Sequence, residues 1–212
     1  MSRKRVLGGV ALLVAVLVLA ACSGPDANYV SNAKAGLYLK IPTDWQTVDL
    51  QAGDVKPDGQ LAVAEAWRVG IDSAAEPLRS HFEDSAPAPD EPIGVVEVFP
   101  IDPAQLSTAP SLQLLRDLAT GRTTDPSTGQ TVTPTVDVLR DDEVTMSSGH
   151  WGLQTTVQST GDSPVRLEQL AMFDPAIHRL YRVTIKCTAS CFDAHSQEIE
   201  SIFDSLTLRG TS

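Results

Sequence analysis

The sequence is short of aromatic side chains, basic side chains and cysteine. Of its 212 residues only 5% are aromatic, and 16 Lys+Arg stand against 27 Asp+Glu, a formal net charge of −11. That balance argues against a nucleic-acid partner, because an acidic chain without long basic runs repels phosphate. Wholesale disorder is excluded by what is present, since 42% hydrophobic residues with 20% charged can fill a core. The length suits one domain once a targeting segment is set aside.

That segment is the N-terminus. Arg3, Lys4 and Arg5 form a basic region, and Val6 to Ala21 is an uncharged run of 16 residues. The run is shorter than the ~20 residues a bilayer-spanning helix needs, so residues 1–21 read as a signal peptide. Leu19-Ala20-Ala21-Cys22 resembles the lipobox of bacterial lipoproteins. The resemblance implies cleavage before Cys22, which carries a diacylglycerol on its sulfur and becomes the first mature residue. Two acyl chains hold a protein on a membrane where one does not. Loss of the three basic residues leaves 13 Lys+Arg against 27 Asp+Glu, and a body of charge −14 is repelled by anionic head groups. Residues 22–34, opening Cys22-Ser23-Gly24-Pro25-Asp26, read as a flexible tether to a single globular domain at 35–210.

Cys187 and Cys191 remain, in Cys-Thr-Ala-Ser-Cys. Outside the cytoplasm a close pair oxidises, and a disulfide stapling a strand-to-helix turn is the leading reading. Adding His195 gives Cys-x3-Cys-x3-His, three zinc ligands that lack a clear fourth. A redox-active pair is the other alternative, although its usual spacing is Cys-x-x-Cys.

Along the body, Leu37, Leu39 and Ile41 alternate with Tyr38 and Lys40, which predicts a half-buried strand ended by Pro42 and a turn delivering Trp45. Leu61–Val69 reads as a second strand with helix as the alternative, and Pro77 opens a candidate short helix. Ile93–Phe99 is a strong strand. Leu112, Leu115, Leu118 and Ala119 recur at helical spacing, with Gly121 as the stop. A polar loop is expected over 122–133. Val136–Leu139, Trp151–Val157, Val165–Phe173 and Arg179–Cys187 are four further strands. Tyr181, Val183, Ile185 and Cys187 share one face of the last. Ser190, with Asp193 as its box partner, caps a final helix whose buried stripe is Phe192, Ile199, Ile202 and Phe203. Sequential antiparallel strands with helices set apart predict an α+β fold, an antiparallel sheet covered by helices.

The motif Gly-hydrophobic-x-hydrophobic-x-Ile-Pro-x-x-Trp at 36–45 and a closing helix running into Ile202-Phe203-Asp204-Ser205-Leu206 resemble the PsbP-like superfamily. That superfamily takes in Ran-binding Mog proteins, the photosystem II extrinsic subunit and bacterial lipoproteins of the actinobacterial LpqN/LpqT sort. The resemblance spans most of residues 35–209 and implies an α/β/α sandwich around an antiparallel sheet. It implies binding and assembly rather than chemistry, and no functional residue carries over from it.

Single residues point to little chemistry. His81, His150, His178 and His195 are scattered and read as solvated or satisfied, with no metal expected. Asp141-Asp142-Glu143 reads as a solvated turn, because a calcium loop spreads its oxygen ligands over a longer arc. In Gly149-His150-Trp151-Gly152 the tryptophan is assigned to the core. Ser147, Ser148 and His150 do not make a nucleophile elbow. No catalytic residue and no cofactor are expected. The acidic, proline-rich segment 83–92 reads first as a solvated loop, and is also the strongest candidate for a recognition surface. The expected function is a non-enzymatic, lipid-anchored binding or accessory protein on the extracytoplasmic face of the cell membrane, with an envelope protein as partner. A carrier of a hydrophobic ligand is second and an enzyme third.

Overall fold

A computed structural model describes residues 27–50, 66–83, 89–101, 110–124 and 128–210. Alternating burial makes the strands. Asn28–Asn32 (β1) and Leu37–Ile41 (β2) pair antiparallel, with Val30, Leu37, Leu39 and Ile41 turned inward. Gln46–Asp49 (β3), Trp67–Asp72 (β4) and Ile93–Pro100 (β5) follow. Next come the two-residue strands Thr123–Thr124 (β6) and Thr131–Val132 (β7), then Val136–Thr145 (β8), Trp151–Ser159 (β9), Val165–Phe173 (β10) and Arg179–Thr188 (β11). Thr207–Leu208 (β12) closes the chain of strands. Seven of them form one antiparallel sheet in the order β3-β4-β5-β11-β10-β9-β8, and β1-β2-β12 form a second sheet.

The helices are Leu112–Thr120 (α1), Ala189–Ala194 (α2) and Ser196–Asp204 (α3). Ser111 accepts the Leu114 N–H at 3.2 Å to start α1, and Gly121, at φ 69°, ends it in the left-handed conformation that glycine adopts without strain. The small sheet, α2 and α3 cover one face of the large sheet. Their shared core holds Trp45, Tyr181, Val183, Ile185, Phe192, Ile199 and Phe203. α1 covers the other face through Leu114 and Leu115, against Phe99, Leu153, Phe173 and Leu180. The α+β reading with helices over an antiparallel sheet therefore describes the molecule.

Several sequence expectations shift. Residues 28–32 are not tether: Val30 is buried, and the Asn28 amide donates to the carbonyls of Thr43 and Trp45 at 3.1 Å each. The acidic run 141–143 is not a turn but part of β8, an edge strand whose unpaired side tolerates exposed charge. The second strand begins at Trp67; residues 61–65 lie outside the described residues. Pro77 precedes only a 3-10 turn, Arg79–Phe82. The loop expected over 122–133 contains the β6–β7 pair. Thr188 rather than Ser190 caps α2, accepting the Cys191 N–H, while Asp193 pairs with Arg166 instead of closing a capping box. The final helix is also two, divided at His195.

Candidate functional site

Strand register builds the most unusual cluster. Glu97 on β5 lies opposite Arg68 on β4 and Arg182 on β11, so the three side chains stand side by side on the face of the sheet that carries α1. Arg68 Nε donates to Glu97 Oε1 at 2.7 Å, and Arg182 Nε donates to Oε2 at 2.6 Å. All three residues are buried, and both guanidinium groups lie over the Phe99 ring, at 5.5 and 5.3 Å from its centroid. Aromatic faces and a shared carboxylate compensate desolvation of the two cations. Arg68 Nη1 is buried with no hydrogen-bond partner among the described residues.

A pocket of about 220 Å³ opens beside this cluster. Its floor is β5, β11 and β10, and Phe82 and Leu118 wall it from the 3-10 turn and from α1. Gly70 makes room for the first wall, because a Cβ there would stand 2.6 Å from Phe82 Cζ. Gln169 Nε2 donates to the Leu115 carbonyl at 3.0 Å and ties the floor to α1. Glu97, Arg182 and Lys186 bring charge to the lining.

Other polar groups are tied down locally. Asp72, fully buried, receives the Ala74 N–H at 2.9 Å and meets His81 Nδ1 at 2.7 Å, which fixes the turn leaving β4. His150 meets Ser148 Oγ at 2.9 Å and packs edge-on against Tyr181, and burial pushes its pKa below the ordinary histidine value. Burial raises the Tyr181 phenol, whose hydroxyl donates to the Ala35 carbonyl at 2.7 Å. On the face covered by α2 and α3, Glu168 accepts Gln154 Nε2 at 2.6 Å and lies 3.4 Å from Arg140. Burial nevertheless raises its pKa above the usual carboxylate range, and the charges of Glu200 and Asp204 add to the shift.

Of the residues singled out from sequence, Cys22 and residues 84–88 of the acidic segment lie outside the described residues. Cys187 and Cys191 stand at disulfide distance, with Cα atoms 6.0 Å apart, where β11 meets α2. His195 Nδ1 lies 2.9 Å from Glu198 Oε2, a contact within α3's first turn. Trp151 packs on Phe173, ring centroids 5.0 Å apart, beside the core under α1. No group of three or more His, Cys, Asp or Glu among the described residues could hold a metal ion. The Arg68–Glu97–Arg182 cluster is absent from the sequence reading. Its signal was Glu97 itself, a carboxylate inside the apolar run Ile93-Gly94-Val95-Val96-Glu97-Val98-Phe99, where a buried central strand obliges any charge to find a partner.

No protein-family model matches the chain, and no curated protein matches its sequence. Among solved structures, cyanobacterial PsbP (CyanoP) from Synechocystis superposes over 89% of this chain and 96% of its own, with a TM-score of 0.50 and 13% identity. The fold is that of the PsbP-like proteins. At such identity the likeness is one of fold alone. Mycobacterium tuberculosis LpqN, described as involved in cell envelope biogenesis, aligns over 86% of this chain and 90% of its own at 13% identity, TM-score 0.47. The Saccharomyces cerevisiae Ran-binding protein Mog1p aligns over 87% and 96% at 10% identity, TM-score 0.45.

Proposed function

We propose that this PsbP-like chain is a lipoprotein of the cell envelope, held through acylated Cys22 on the extracytoplasmic face of the cell membrane, whose domain binds rather than catalyses. The observation that carries the binding reading is the commitment of Glu97. Each of its oxygens accepts an arginine N–H, so the carboxylate in the pocket wall is held in an ion pair that spans three strands instead of being presented to a substrate. The leader over 1–21 and the Leu-Ala-Ala-Cys sequence support the anchor. An oxidised Cys187–Cys191 bridge fits the same compartment. The partner is an envelope protein. The long edge strand β8 supports that choice, exposing Val138 and Leu139 beside Asp137, Asp142 and Glu143. A lipid carrier is the weaker reading, because the pocket is small and its wall holds Glu97, Arg182 and Lys186.

The anchor is tested by Cys22→Ala in the native host, followed by carbonate washing of membranes. The wild type should stay in the membrane fraction and the variant should leave it; a variant that resists the wash overturns the lipid anchor. Crosslinking of the wild type on intact cells, read by mass spectrometry, should return a defined protein adduct.

A further inference from the structure

We infer that the outer edge of β8 is a docking site for an extended, basic segment of the envelope partner, which adds to the sheet as an eighth strand. The inference rests on the binding reading above and gives its partner a chemistry and a place. The large sheet has two edges, and they differ. At one end β3 is four residues long, and Arg79 Nη2 donates to its Asp49 carbonyl at 2.7 Å. At the other end β8 is ten residues long, and among the described residues its backbone bonds only to β9. A strand bonded on one side alone leaves about half its N–H and C=O groups facing outward, ready to pair with another chain. Strand addition uses such an edge: backbone bonds supply affinity, and side chains choose the partner.

The choice follows from which charges on the edge are already paired. Arg140 holds Asp142 at 2.7 Å, and Arg116 of α1 holds Asp141 through two nitrogens, at 2.8 and 2.5 Å. Asp137 and Glu143 are exposed, and neither side chain has an ion pair or hydrogen bond among the described residues. Both free charges of the edge are therefore acidic, and they lie about 20 Å apart along the strand. Val138 and Leu139 stand between them, 47% and 52% exposed. Leu139 is the extra residue of a bulge, and beyond it Arg140–Thr145 keep an unbroken register with β9. Six regular residues are enough for an ordinary strand to pair with. The pattern calls for cations at the two ends of the incoming segment and apolar side chains in its middle. A second copy of this chain fits worse. Antiparallel pairing of two β8 edges about Arg140 sets each Asp137 against the other copy's Glu143, two like-charge contacts. The formal net charge of −11 repels a second copy and steers a basic segment inward.

The probe is the capped peptide Lys-Thr-Val-Thr-Val-Thr-Lys, titrated by NMR into the full chain in detergent micelles. Its counterparts carry Glu at both ends, or keep the lysines and are N-methylated at the five central residues. The lysine peptide should saturate with a Kd below about 1 mM, slow the exchange of β8 amides and leave those of β3 unchanged. Added salt should weaken it, and neither counterpart should saturate. Asp137→Lys with Glu143→Lys should keep the wild-type circular dichroism, weaken the lysine peptide at least about fivefold and admit the glutamate peptide. The inference is overturned if the lysine peptide fails to saturate, if the N-methylated peptide binds equally well, or if protection falls away from β8. It is also overturned if β8 amides become protected with protein concentration alone, which would make the occupant a second copy. The crosslinked adduct on cells separates this inference from the reading beneath it. An adduct undiminished in the doubly reversed variant overturns the β8 surface and leaves the envelope partner standing. Absence of any adduct with the wild type overturns the partner, whatever the peptides do.

Discussion

Replacing Glu97 by Gln is the sharpest test of how the central sheet is held together. The substitution keeps the volume and removes the charge that two buried guanidinium groups share, at 2.7 and 2.6 Å. Arg68 and Arg182 expose only 5% and 7% of their surface, so solvent compensates the lost carboxylate poorly. Breaking a buried pair from one side costs about 3–5 kcal/mol. For a domain of this size each kcal/mol lowers Tm by about 2–4 °C, so Glu97→Gln should melt roughly 6–20 °C below the wild type. A second variant separates the charge effect from packing. Arg68→Met, Glu97→Leu and Arg182→Met together remove all three charges and keep the volume apolar, and should come out within about 1–2 kcal/mol of the wild type or above it. Urea unfolding of both variants, followed by circular dichroism and tryptophan fluorescence, gives the two free energies. If Glu97→Gln costs less than about 1 kcal/mol, or if the triple variant is less stable than the single one, the account of the cluster is wrong.

Two further outcomes follow from other sites. Glu168, raised by burial from its ordinary value of 4.5, favours its protonated form in the folded state. Its contribution is full below the unfolded value and is lost as pH rises through the folded one, so Glu168→Gln should flatten the fall in unfolding free energy across that range and raise stability at pH 7. Gly152→Ala would drive a Cβ into the Ala171 carbonyl on the neighbouring strand. Backbone on both sides leaves little room to yield, and the substitution should cost about 2–3 kcal/mol in the same urea assay.

The parts of the fold that could be read from sequence were those with a clean period. Val165–Phe173 matches its strand residue for residue, because every residue pairs with β11, all but Val165 also pair with β9, and the pattern is continuous. The helix over α1 declared itself through Leu115, Leu118 and Gly121. Strand β1 was hidden because Asn28, Ser31 and Asn32 look like linker; what makes them a strand is pairing with β2, a tertiary fact. The acidic run in β8 misled for the complementary reason. Carboxylates on an edge strand are as wet as those of a turn, and only the ladder to β9 distinguishes the two. The candidate site was the least legible part. Alternation placed Arg182 opposite Tyr181 and Val183 and so on an apparently polar face, and nothing local indicates that it would be buried over the Phe99 ring.

The early start of β1 sets how far the domain can travel. Between Cys22 and Asn28 there are six residue steps, which fully extended span at most about 20 Å. If Cys22 carries the proposed anchor, the domain is confined to a shell no deeper than that span beside the lipid surface. So held, it would not range outward in search of a ligand or partner. Whatever it met would have to be delivered to the membrane, and two such domains would meet only by lateral diffusion in the same leaflet.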